Sequence, residues 1–489
     1  MTFIPSKYQV NIFKEYVGSN NNIVINACPG SGKTRTILEL LKLTPVYKKS
    51  IYLCYNKSIA EDLKKQAPKN IDISTVHSKG LSILYKTIKG KIKITDSKNY
   101  HFTRIVLGDK QFKNKKDQAR YFFTICELIN FYRLNMISNK RDFIELAELN
   151  NFCILNGEID DSLKVIDSID KYNLKDNSEF MIDFTDMLYL PLVLKNAIYP
   201  QYDVLFIDEV QDITPLQKCL VDKFIKSKGR FVAVGDKKQL IYQFIGANLN
   251  SFQKFEQSQN TVVLPLSVSY RCPKAVVNEA NKIFNEMEAF EENIKGEVRD
   301  GDINEIKIGD TVLCRNNMPL VEVFLYLLSK EIKTVIYGKD FGINLLNLLN
   351  KAYSKNVSKV KENFEKILSD MYSSLKVKGI KSPTYHLKYV SLNEKITILK
   401  ILIDRFDSVE KVESVIDDMF SDDTKESVLL STIHKAKGRE WDTVFFLNEN
   451  LIPSKYAMTK DEIYAESCLR YVCITRAKKK LIYINFLNE

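Results

Sequence analysis

Short apolar runs alternate with amphipathic segments in the first part of the chain. The runs at 23–27, 51–55 and 71–76 are short, rich in apolar residues and bounded by polar ones, a pattern typical of buried strands. The segment 37–41, between the first two runs, carries its apolar residues at helical spacing. This alternation predicts an α/β fold with a parallel sheet.

Helical patterns replace strand-like patterns in two later regions of the chain. From about 89 to 180, and again from 341 to 420, strand signals fade and stretches of helical spacing replace them. Strand-like runs return at 203–207, 231–234, 311–314, 334–337, 428–432, 443–447 and 481–485. We therefore predict two α/β domains in tandem, each carrying a mostly helical insertion. The predicted boundaries are 1–88 with 181–265 for the first domain and 89–180 for its insertion, then 266–340 with 421–489 for the second domain and 341–420 for its reduced insertion.

A glycine-rich loop, "NACPGSGKTRT" at 26–36, follows the first apolar run. A strand, a glycine turn and a helix start form a cradle for phosphate, because the backbone can approach closely and free N–H groups face the anion. Gly30 and Gly32 supply the turn, Lys33 would reach the β- and γ-phosphates, and the Thr34 hydroxyl would hold Mg²⁺. The alternative is a chance glycine turn. The strand before the loop and the helix after it favour nucleotide binding.

Two carboxylates end the apolar strand in "VLFIDEVQD", 204–212. Asp208 at the strand tip is placed to hold Mg²⁺, and Glu209 is placed to polarise an attacking water. The alternative is a strand followed by an exposed acidic turn. The phosphate loop upstream favours a nucleotide-hydrolysing site.

A further strand and turn, "VAVGDKKQLIYQFIGA" at 232–247, combines an amide with aromatic side chains. Gln239 is placed to contact the γ-phosphate, while Tyr242 and Phe244 offer flat faces. Aromatic residues beside an ATP site in a basic protein suggest stacking on nucleic-acid bases. An ordinary aromatic core pair is the alternative.

The amino-acid composition indicates which kind of partner the protein binds and in which kind of cellular compartment it is found. The chain has 489 residues, 45% of them apolar and 27% charged, and its net charge of +11 favours a polyanionic partner. The nine cysteines contain no C-x-x-C pair and there are four histidines, which argues against a structural metal cluster and for a reducing compartment. With no visible signal peptide or bilayer-spanning run, we expect a cytoplasmic or nucleoid-associated protein without membrane contact.

These stretches, in this order, resemble the motifs of superfamily 1 DNA helicases of the UvrD/Rep type. "DEVQD" and "VGDKKQLIYQFIGA" carry the resemblance most specifically. Further matches are "YNKSIAEDL" at 55–63, "TVHS" at 75–78, "DFTDML" at 183–188, "SYRCP" at 269–273, "STIHKAKGREWDTVFF" at 431–446 and "LRYVCITRAKKKL" at 469–481. "NKSIAEDL", "CRNN" at 314–317 and "YGKDFG" at 337–342 are similar to the short branch that includes the F-box DNA helicase. The resemblance implies that both α/β domains are RecA-like.

The resemblance also implies a role for each matched residue. Gln9 would recognise the adenine edge, Tyr270 would stack on it, and Glu440 would contact the ribose. Arg271 and Arg476 come from the second α/β domain and would complete the site at the interdomain cleft as arginine fingers. The implied catalytic set is Lys33, Asp208, Glu209, Gln239, Arg271 and Arg476, and the metal ligands are Thr34 and Asp208. The implied nucleotide-binding set is Gln9, Ala27, Gly30, Ser31, Gly32, Lys33, Thr34, Arg35, Tyr270, Arg271, Gly438, Glu440 and Arg476.

Single-stranded DNA and single/double-strand junctions are the partners that the resemblance implies. The expected DNA contacts are Tyr55, Thr75, His77, Tyr242, Phe244, Thr432 and His434. For His77 and His434 the alternative is a turn histidine whose hydrogen bonds are satisfied within the protein.

Three hypotheses about function follow. In the first, ATP and Mg²⁺ drive movement on single-stranded DNA, 3′-to-5′ by the resemblance, and unwinding of duplex. In the second, the chain strips proteins from DNA with little unwinding. In the third, it senses nucleotide as a subunit that docks on a nuclease, a single-strand binding protein or a replisome component. Intact Glu209 and Arg476 favour the first two, because a pure sensor need not hydrolyse ATP.

Overall fold

The computed structural model of the chain describes residues 3–54, 57–112, 115–149, 157–173, 179–240, 249–354, 356–377, 380, 382–421 and 424–486. The chain forms two compact units, residues 1–28 with 32–267 and residues 29–31 with 268–489. The boundaries between domains and insertions that the sequence indicates stay a prediction.

The first unit contains a six-stranded parallel sheet. The strands of this unit, inside and outside that sheet, are β1 (Asn22–Ala27), β2 (Ser50–Cys54), β3 (Ile71–Thr75), β4 (Lys91–Ile94), β5 (Glu179–Ile182), β6 (Tyr202–Ile207), β7 (Ile225–Gly235) and β8 (Thr261–Leu266). Its helices are α1 (Lys7–Gly18), α2 (Lys33–Leu43), α3 (Lys57–Lys64), α4 (Val76–Thr87), α5 (Lys98–Leu107), α6 (Lys115–Leu134), α7 (Lys140–Leu149), α8 (Glu158–Asn173), α9 (Asp186–Val193), α10 (Pro215–Asp222) and α11 (Leu249–Glu256). The order in the sheet is β3-β2-β6-β7-β1-β8, and β4 pairs separately with β5.

Helices cover both faces of this sheet, which explains why β2 is buried along its whole length and β1 and β6 along most of theirs. On one face, Ile12 of α1 and Leu40 of α2 pack with Phe206 of β6. On the other, Leu220 of α10 packs with Leu205 of β6. Because all the strands are parallel, their carboxyl ends lie at one edge, where ligands bind in open α/β sheets.

A buried ion cluster joins α5 and α6 to α9. Lys98 Nζ lies 2.6 Å from Asp186 Oδ2, and the Arg133 guanidinium lies 3.2 Å from Asp186 Oδ1. The side chains of all three residues are fully buried. Removing one partner of such a cluster costs about 3–5 kcal/mol, because the remaining charges are left uncompensated away from water. Asp186 belongs to the "DFTDML" stretch, so this stretch holds helices together as well as preceding β6.

The second unit repeats the plan with another six-stranded parallel sheet. The strands of this unit, inside and outside that sheet, are β9 (Val268–Ser269), β10 (Glu288–Ala289), β11 (Glu297–Asp300), β12 (Thr311–Cys314), β13 (Thr334–Ile336), β14 (Val428–Thr432), β15 (Trp441–Leu447) and β16 (Ala477–Ile484). Of these, β9 and β10 pair only with each other. Its helices are α12 (Lys274–Asn281), α13 (Asn317–Ser329), α14 (Lys339–Ala352), α15 (Val357–Val377), α16 (Leu387–Phe406), α17 (Val409–Met419) and α18 (Lys460–Ile474). The order in the sheet is β11-β16-β15-β12-β14-β13.

The α/β fold with two parallel sheets is confirmed, and each strand-like run corresponds to a strand. The described residues between β4 and β5 contain α5–α8, and those between β13 and β14 contain α14–α17. The sequence did not indicate β8 or β11, which lie at the sheet edges, or the β4–β5 pair. Across the described ranges, no helix is both long enough and apolar enough to cross a membrane.

Candidate nucleotide site and nucleic-acid contacts

The loop between β1 and α2 has the backbone that a phosphate cradle needs. Gly30 and Gly32 have φ values of +70° and +78°, in the left-handed region that glycine enters without strain. Helix α2 begins at Lys33, directly after Gly32, so its first N–H groups face out of the loop. The hydroxyl of Ser31 is buried and has no partner among the described residues. A loop of glycines, helix-start N–H groups and an unpaired hydroxyl fits a bound phosphate.

Lys33 and the two acidic residues at the end of β6 lie together. Lys33 Nζ donates to both carboxylate oxygens of Glu209, at 2.8 and 2.9 Å. Glu209 has φ +49°, an uncommon left-handed conformation for a residue other than glycine. Such local strain is often found at functional sites.

Asp208 is buried and has both oxygens engaged. The hydroxyl of Tyr52, on β2, donates to Oδ2 at 2.6 Å, and the backbone N–H of Glu209 donates to Oδ1 at 2.9 Å. Burial raises the pKa of Asp208 to about 6, the charge of Glu209 adds to the rise, and Lys33 opposes it. Burial acts to lower the pKa of Lys33, but Glu209 and Asp208 outweigh it and the pKa is raised.

A third acidic residue, Asp236, adds to the negative charge near Lys33. Burial raises the pKa of Asp236, and the positive charge of Lys33 opposes that rise. The Gln239 amide donates to Asp236 Oδ2 at 2.9 Å, so this amide is engaged within the protein. Three carboxylates around one ammonium leave net negative charge, which suits a divalent cation with oxygen ligands.

The described residues contain no cluster of three His, Cys, Asp or Glu side chains that could hold a metal by itself. Mg²⁺ usually takes one or two carboxylates and completes its shell with phosphate oxygens and water. The oxygen donors of Asp208 and Thr34 fit this chemistry, with the metal bound together with a nucleotide.

Other residues expected at the nucleotide are engaged within the first unit. The Gln9 amide, buried in α1, donates to Thr36 Oγ1 at 2.9 Å, and its oxygen accepts from the Ser6 backbone as part of a capping box. The Arg35 guanidinium lies 4.7 Å from the ring centroid of Phe3. The nucleotide roles of Gln9 and Arg35 stay predictions.

In the second unit, two residues expected at the nucleotide lie side by side. Arg271 donates to Glu440 Oε2 at 2.7 Å and to the Thr475 carbonyl at 3.2 Å. The Nε atom of Arg271 is buried and has no partner among the described residues. Tyr270 is partly exposed, with its ring 4.9 Å from Phe290 and its N–H donating to the Gly30 carbonyl at 2.9 Å.

Arg476 lies inside the second unit, with 2% of its surface exposed. Its guanidinium donates to the carbonyls of Val472 and Arg439 at 2.9 and 3.1 Å, and to the Thr475 hydroxyl at 3.2 Å. Its role as an arginine finger stays a prediction, since these contacts are also those of an arginine that supports the fold.

Several expected DNA contacts fall on loops at the strand ends. Thr75 caps α4 and accepts from the Ser78 N–H at 3.1 Å, and His77 follows in the first turn. Thr432 ends β14. Gly438, which is expected at the nucleotide and not at DNA, lies in the turn before β15 and has φ +80°. Tyr55, Tyr242 and Phe244 lie outside the described residues.

Phe184 was not singled out by the sequence as a DNA contact, although "DFTDML" contains it. Its side chain is 56% exposed, and its ring packs edge-on against His77 with centroids 6.3 Å apart. An exposed aromatic ring beside an expected DNA contact is a candidate stacking platform. Only the pairing of residues far apart in sequence, at 77 and 184, reveals it.

A small cavity connects the surroundings of His77 with those of Asp208. It has a volume of about 20 Å³ and its lining includes Cys54, Val76, His77, Asp208 and Gln217. One water needs roughly 10–15 Å³, so the cavity has room for about one water.

His434 is expected to be neutral near pH 7. Burial lowers its pKa to about 4, the charge of Arg315 adds to the fall, and Glu466 opposes it. A lowered folded-state pKa favours folding above the unfolded value of 6.5, and that contribution is lost as the pH falls towards 4. The free energy of unfolding should therefore decrease between pH 6.5 and 4, and His434→Gln should flatten this part of the profile. Equal profiles for the two proteins in denaturant titrations would contradict the assignment.

Comparison with known proteins assigns the family. The sequence model of the UvrD/REP helicase N-terminal domain matches residues 9–260, and that of the UvrD-like helicase C-terminal domain matches residues 427–484. The first match alone covers just over half of the chain.

Among the relatives are two proteins named as DNA helicases and one named as an enzyme subunit. The chain is 24% identical to F-box DNA helicase protein 1 of Schizosaccharomyces pombe, over 94% of this chain and 55% of that protein. It is 21% identical to ATP-dependent DNA helicase Rep of Buchnera aphidicola subsp. Acyrthosiphon pisum, over 95% of this chain and 92% of that protein. It is 24% identical to RecBCD enzyme subunit RecB of Borreliella burgdorferi, over 82% of this chain and 39% of that protein. The chain thus spans about half the length of the F-box relative. The first match contains the phosphate loop and the paired carboxylates, and the second match follows it in the order expected for the family. The chain therefore belongs to the UvrD/Rep helicase family.

Proposed function

We propose that the chain is an ATP-dependent DNA helicase that moves on single-stranded DNA, with 3′-to-5′ polarity, and unwinds duplex. The observation that carries the proposal is the cluster of Lys33, Asp208 and Glu209 next to the phosphate loop. A nucleotide-binding protein that did not hydrolyse would not need a carboxylate base beside its metal-binding one. Family membership supports DNA as the partner.

In the proposed reaction, the loop N–H groups and Lys33 bind the phosphates, which requires Lys33 to exchange its bonds to Glu209 for bonds to phosphate. Glu209 would then orient a water and accept its proton. Mg²⁺ would be held by Asp208 and Thr34 and would neutralise charge on the phosphates. We expect Arg271 and Arg476 to stabilise the charge that develops on the transferred phosphoryl group.

The DNA-binding part of the proposal is supported by charge and by aromatic rings. The chain has a net charge of +11, and exposed rings allow stacking without sequence preference. Beside the contacts expected from the sequence, including Phe244, we add Phe184 because it is exposed against His77.

Phe184→Ala should weaken binding of single-stranded DNA by about 1–3 kcal/mol, roughly 5- to 150-fold in Kd, the contribution of one stacked base. Fluorescence anisotropy with a labelled oligothymidine measures the change. Phe123→Ala is the matched control, because Phe123 on α6 is 63% exposed. Equal and small changes in Kd for both variants would remove Phe184 from the DNA path.

A strand-displacement assay tests the proposed function. Duplexes with a 3′ tail, with a 5′ tail and with blunt ends are incubated with the protein, ATP and Mg²⁺. We expect displacement from the 3′-tailed substrate alone. Displacement only from the 5′-tailed duplex would reverse the polarity, and DNA-stimulated ATP turnover without displacement would favour a translocase.

A second candidate is a translocating or nucleotide-sensing subunit of a larger complex with little unwinding of its own. The observation that favours it is the match to a protein named as a subunit of the RecBCD enzyme. If neither displacement nor DNA-stimulated turnover is found with the isolated chain, this candidate replaces the first. A cytoplasmic or nucleoid-associated location stays a prediction.

A further inference from the structure

Gln211 connects the carboxylate of Glu209 with the turn that follows β7. It lies in the short 3₁₀ turn Val210–Asp212, directly after Glu209, and is fully buried. Its amide nitrogen donates to Glu209 Oε2 at 2.5 Å, and its amide oxygen accepts from the Asp236 backbone N–H at 3.1 Å. One side chain therefore bridges the expected base and a segment 25 residues away.

The hydrogen-bonded chain continues beyond Asp236. The carboxylate of Asp236 accepts from the Lys238 backbone N–H at 2.9 Å and from the Gln239 amide at 2.9 Å. Asp236 is 1% exposed and Gln239 is 7% exposed, so water does not substitute freely for these bonds. Gln211, Asp236 and Gln239 thus form one connected buried network, and it ends on the partly exposed carboxylate of Glu209.

The backbone at the end of β7 is shaped to admit the Gln211 amide. A Cβ atom at Gly235 would lie 2.3 Å from Gln211 Oε1 and 3.1 Å from Val210 Cγ2. Since real Cβ atoms do not approach so closely, a side chain at this position would have to displace the amide. Gly235 and Gln211 are therefore matched to each other by steric fit.

We propose that Gln211 is a positioning residue that couples the direction of the Glu209 carboxylate to the position of the turn at 235–239. The inference rests on the proposed function, in which DNA binds the sequence segment that follows this turn. A displacement of the turn on DNA binding would pass through Asp236 and Gln211 to the base. DNA would thereby control the rate of hydrolysis within the first unit.

A structural role alone would have different consequences. If Gln211 only filled the space beneath Gly235, its replacement would lower stability and all activities would fall together. A positioning role instead changes kcat measured with DNA, while the KM for ATP and the Kd for DNA stay close to the wild-type values. The ratio of kcat with DNA to kcat without DNA separates the two.

Gln211→Leu keeps the approximate size of the side chain and removes both hydrogen bonds. We expect the DNA stimulation ratio to fall about 10-fold, the scale of one hydrogen bond to a charged group. The KM for ATP and the Kd for oligothymidine should change less than about 3-fold. Asn99→Leu is the control, because it removes another buried amide of the first unit, whose hydrogen bond goes to Asn130.

Gly235→Ala provides a second, independent variant if Gln211→Leu folds poorly. It retains the Gln211 side chain but forces its amide to move, so the stimulation ratio should fall in the same way. Gly18→Ala is its matched control, because a Cβ there meets nothing within 4 Å.

Three outcomes of these measurements distinguish whether Gln211 couples the turn to Glu209. A reduced ratio in Gln211→Leu and Gly235→Ala, with normal ratios in both controls, supports the coupling. A wild-type ratio in either folded variant overturns it, even if the melting temperature has dropped. If the wild-type protein shows no stimulation by DNA at all, the proposed function fails first, and that result is distinguishable from a failure of the coupling.

Discussion

Glu209→Gln should abolish DNA-stimulated ATP turnover, with a loss of about 10²–10⁴-fold in kcat, because an amide cannot accept the proton of the attacking water. ATP binding should survive. Lys33 donates to both Glu209 oxygens, so incoming phosphate must displace that ion pair. Removing the carboxylate frees Lys33, and ATP should bind at least as tightly as to the wild-type protein. Stopped-flow binding of a fluorescent ATP analogue, beside a phosphate-release assay, measures both quantities.

Glu365→Gln is the matched control for this prediction. Glu365 on α15 also accepts from a lysine, Lys400 of α16, and neither residue is expected at the nucleotide. Surface ion pairs of this kind contribute about 0–1 kcal/mol, so turnover should stay within a factor of two. Normal turnover in Glu209→Gln would show that another group serves as the base.

Arg476→Ala should slow hydrolysis by about 10³-fold or more, the effect expected for an arginine finger. Binding of single-stranded DNA should stay within a factor of two, because this arginine is expected to act on the nucleotide. The side chain is also buried and donates hydrogen bonds within its own unit, so some loss of stability is expected. The kcat should be measured well below the melting temperature of the variant, with the folded fraction checked by circular dichroism.

Arg470→Ala controls for the loss of a nearby arginine, because Arg470 lies in α18, the helix that ends at Ile474 just before Arg476. Arg470 of α18 pairs with Glu449, and its removal should lower stability slightly while leaving kcat unchanged. If Arg476→Ala melts early but its folded fraction hydrolyses ATP at the normal rate, then Arg476 supports the fold and another arginine acts on the phosphates.

The sequence predicts the sheets well because buried parallel strands are continuous apolar runs. The run at 203–207 became β6 with a shift of a single residue at its start. The strands that the pattern missed include β8 and β11, both at sheet edges, where one side has no neighbouring strand. β8 reads "TVVLPL", and Pro265 within it argues against a strand because proline cannot donate a ladder hydrogen bond. β11 reads "EVRD" and is mostly polar.

The nucleotide site was predictable only as far as motifs are local. The glycines of the loop and the carboxylates after β6 can be recognised in the sequence from their spacing. The structure brings Lys33 of the loop together with Glu209. The bond from Tyr52 to Asp208 joins residues 156 positions apart, and the bridge from Gln211 to Asp236 joins the segments that follow the neighbouring strands β6 and β7. Such contacts depend on strand order, which a single sequence pattern does not specify.

The measurement that tests the central claim most directly is steady-state ATP turnover by the purified chain, in the presence of Mg²⁺, as single-stranded DNA is titrated. The account predicts low turnover without DNA and a saturable increase as oligothymidine is added. Turnover that is absent throughout, or that does not respond to DNA at any concentration, would contradict the claim that this chain couples ATP hydrolysis to single-stranded DNA.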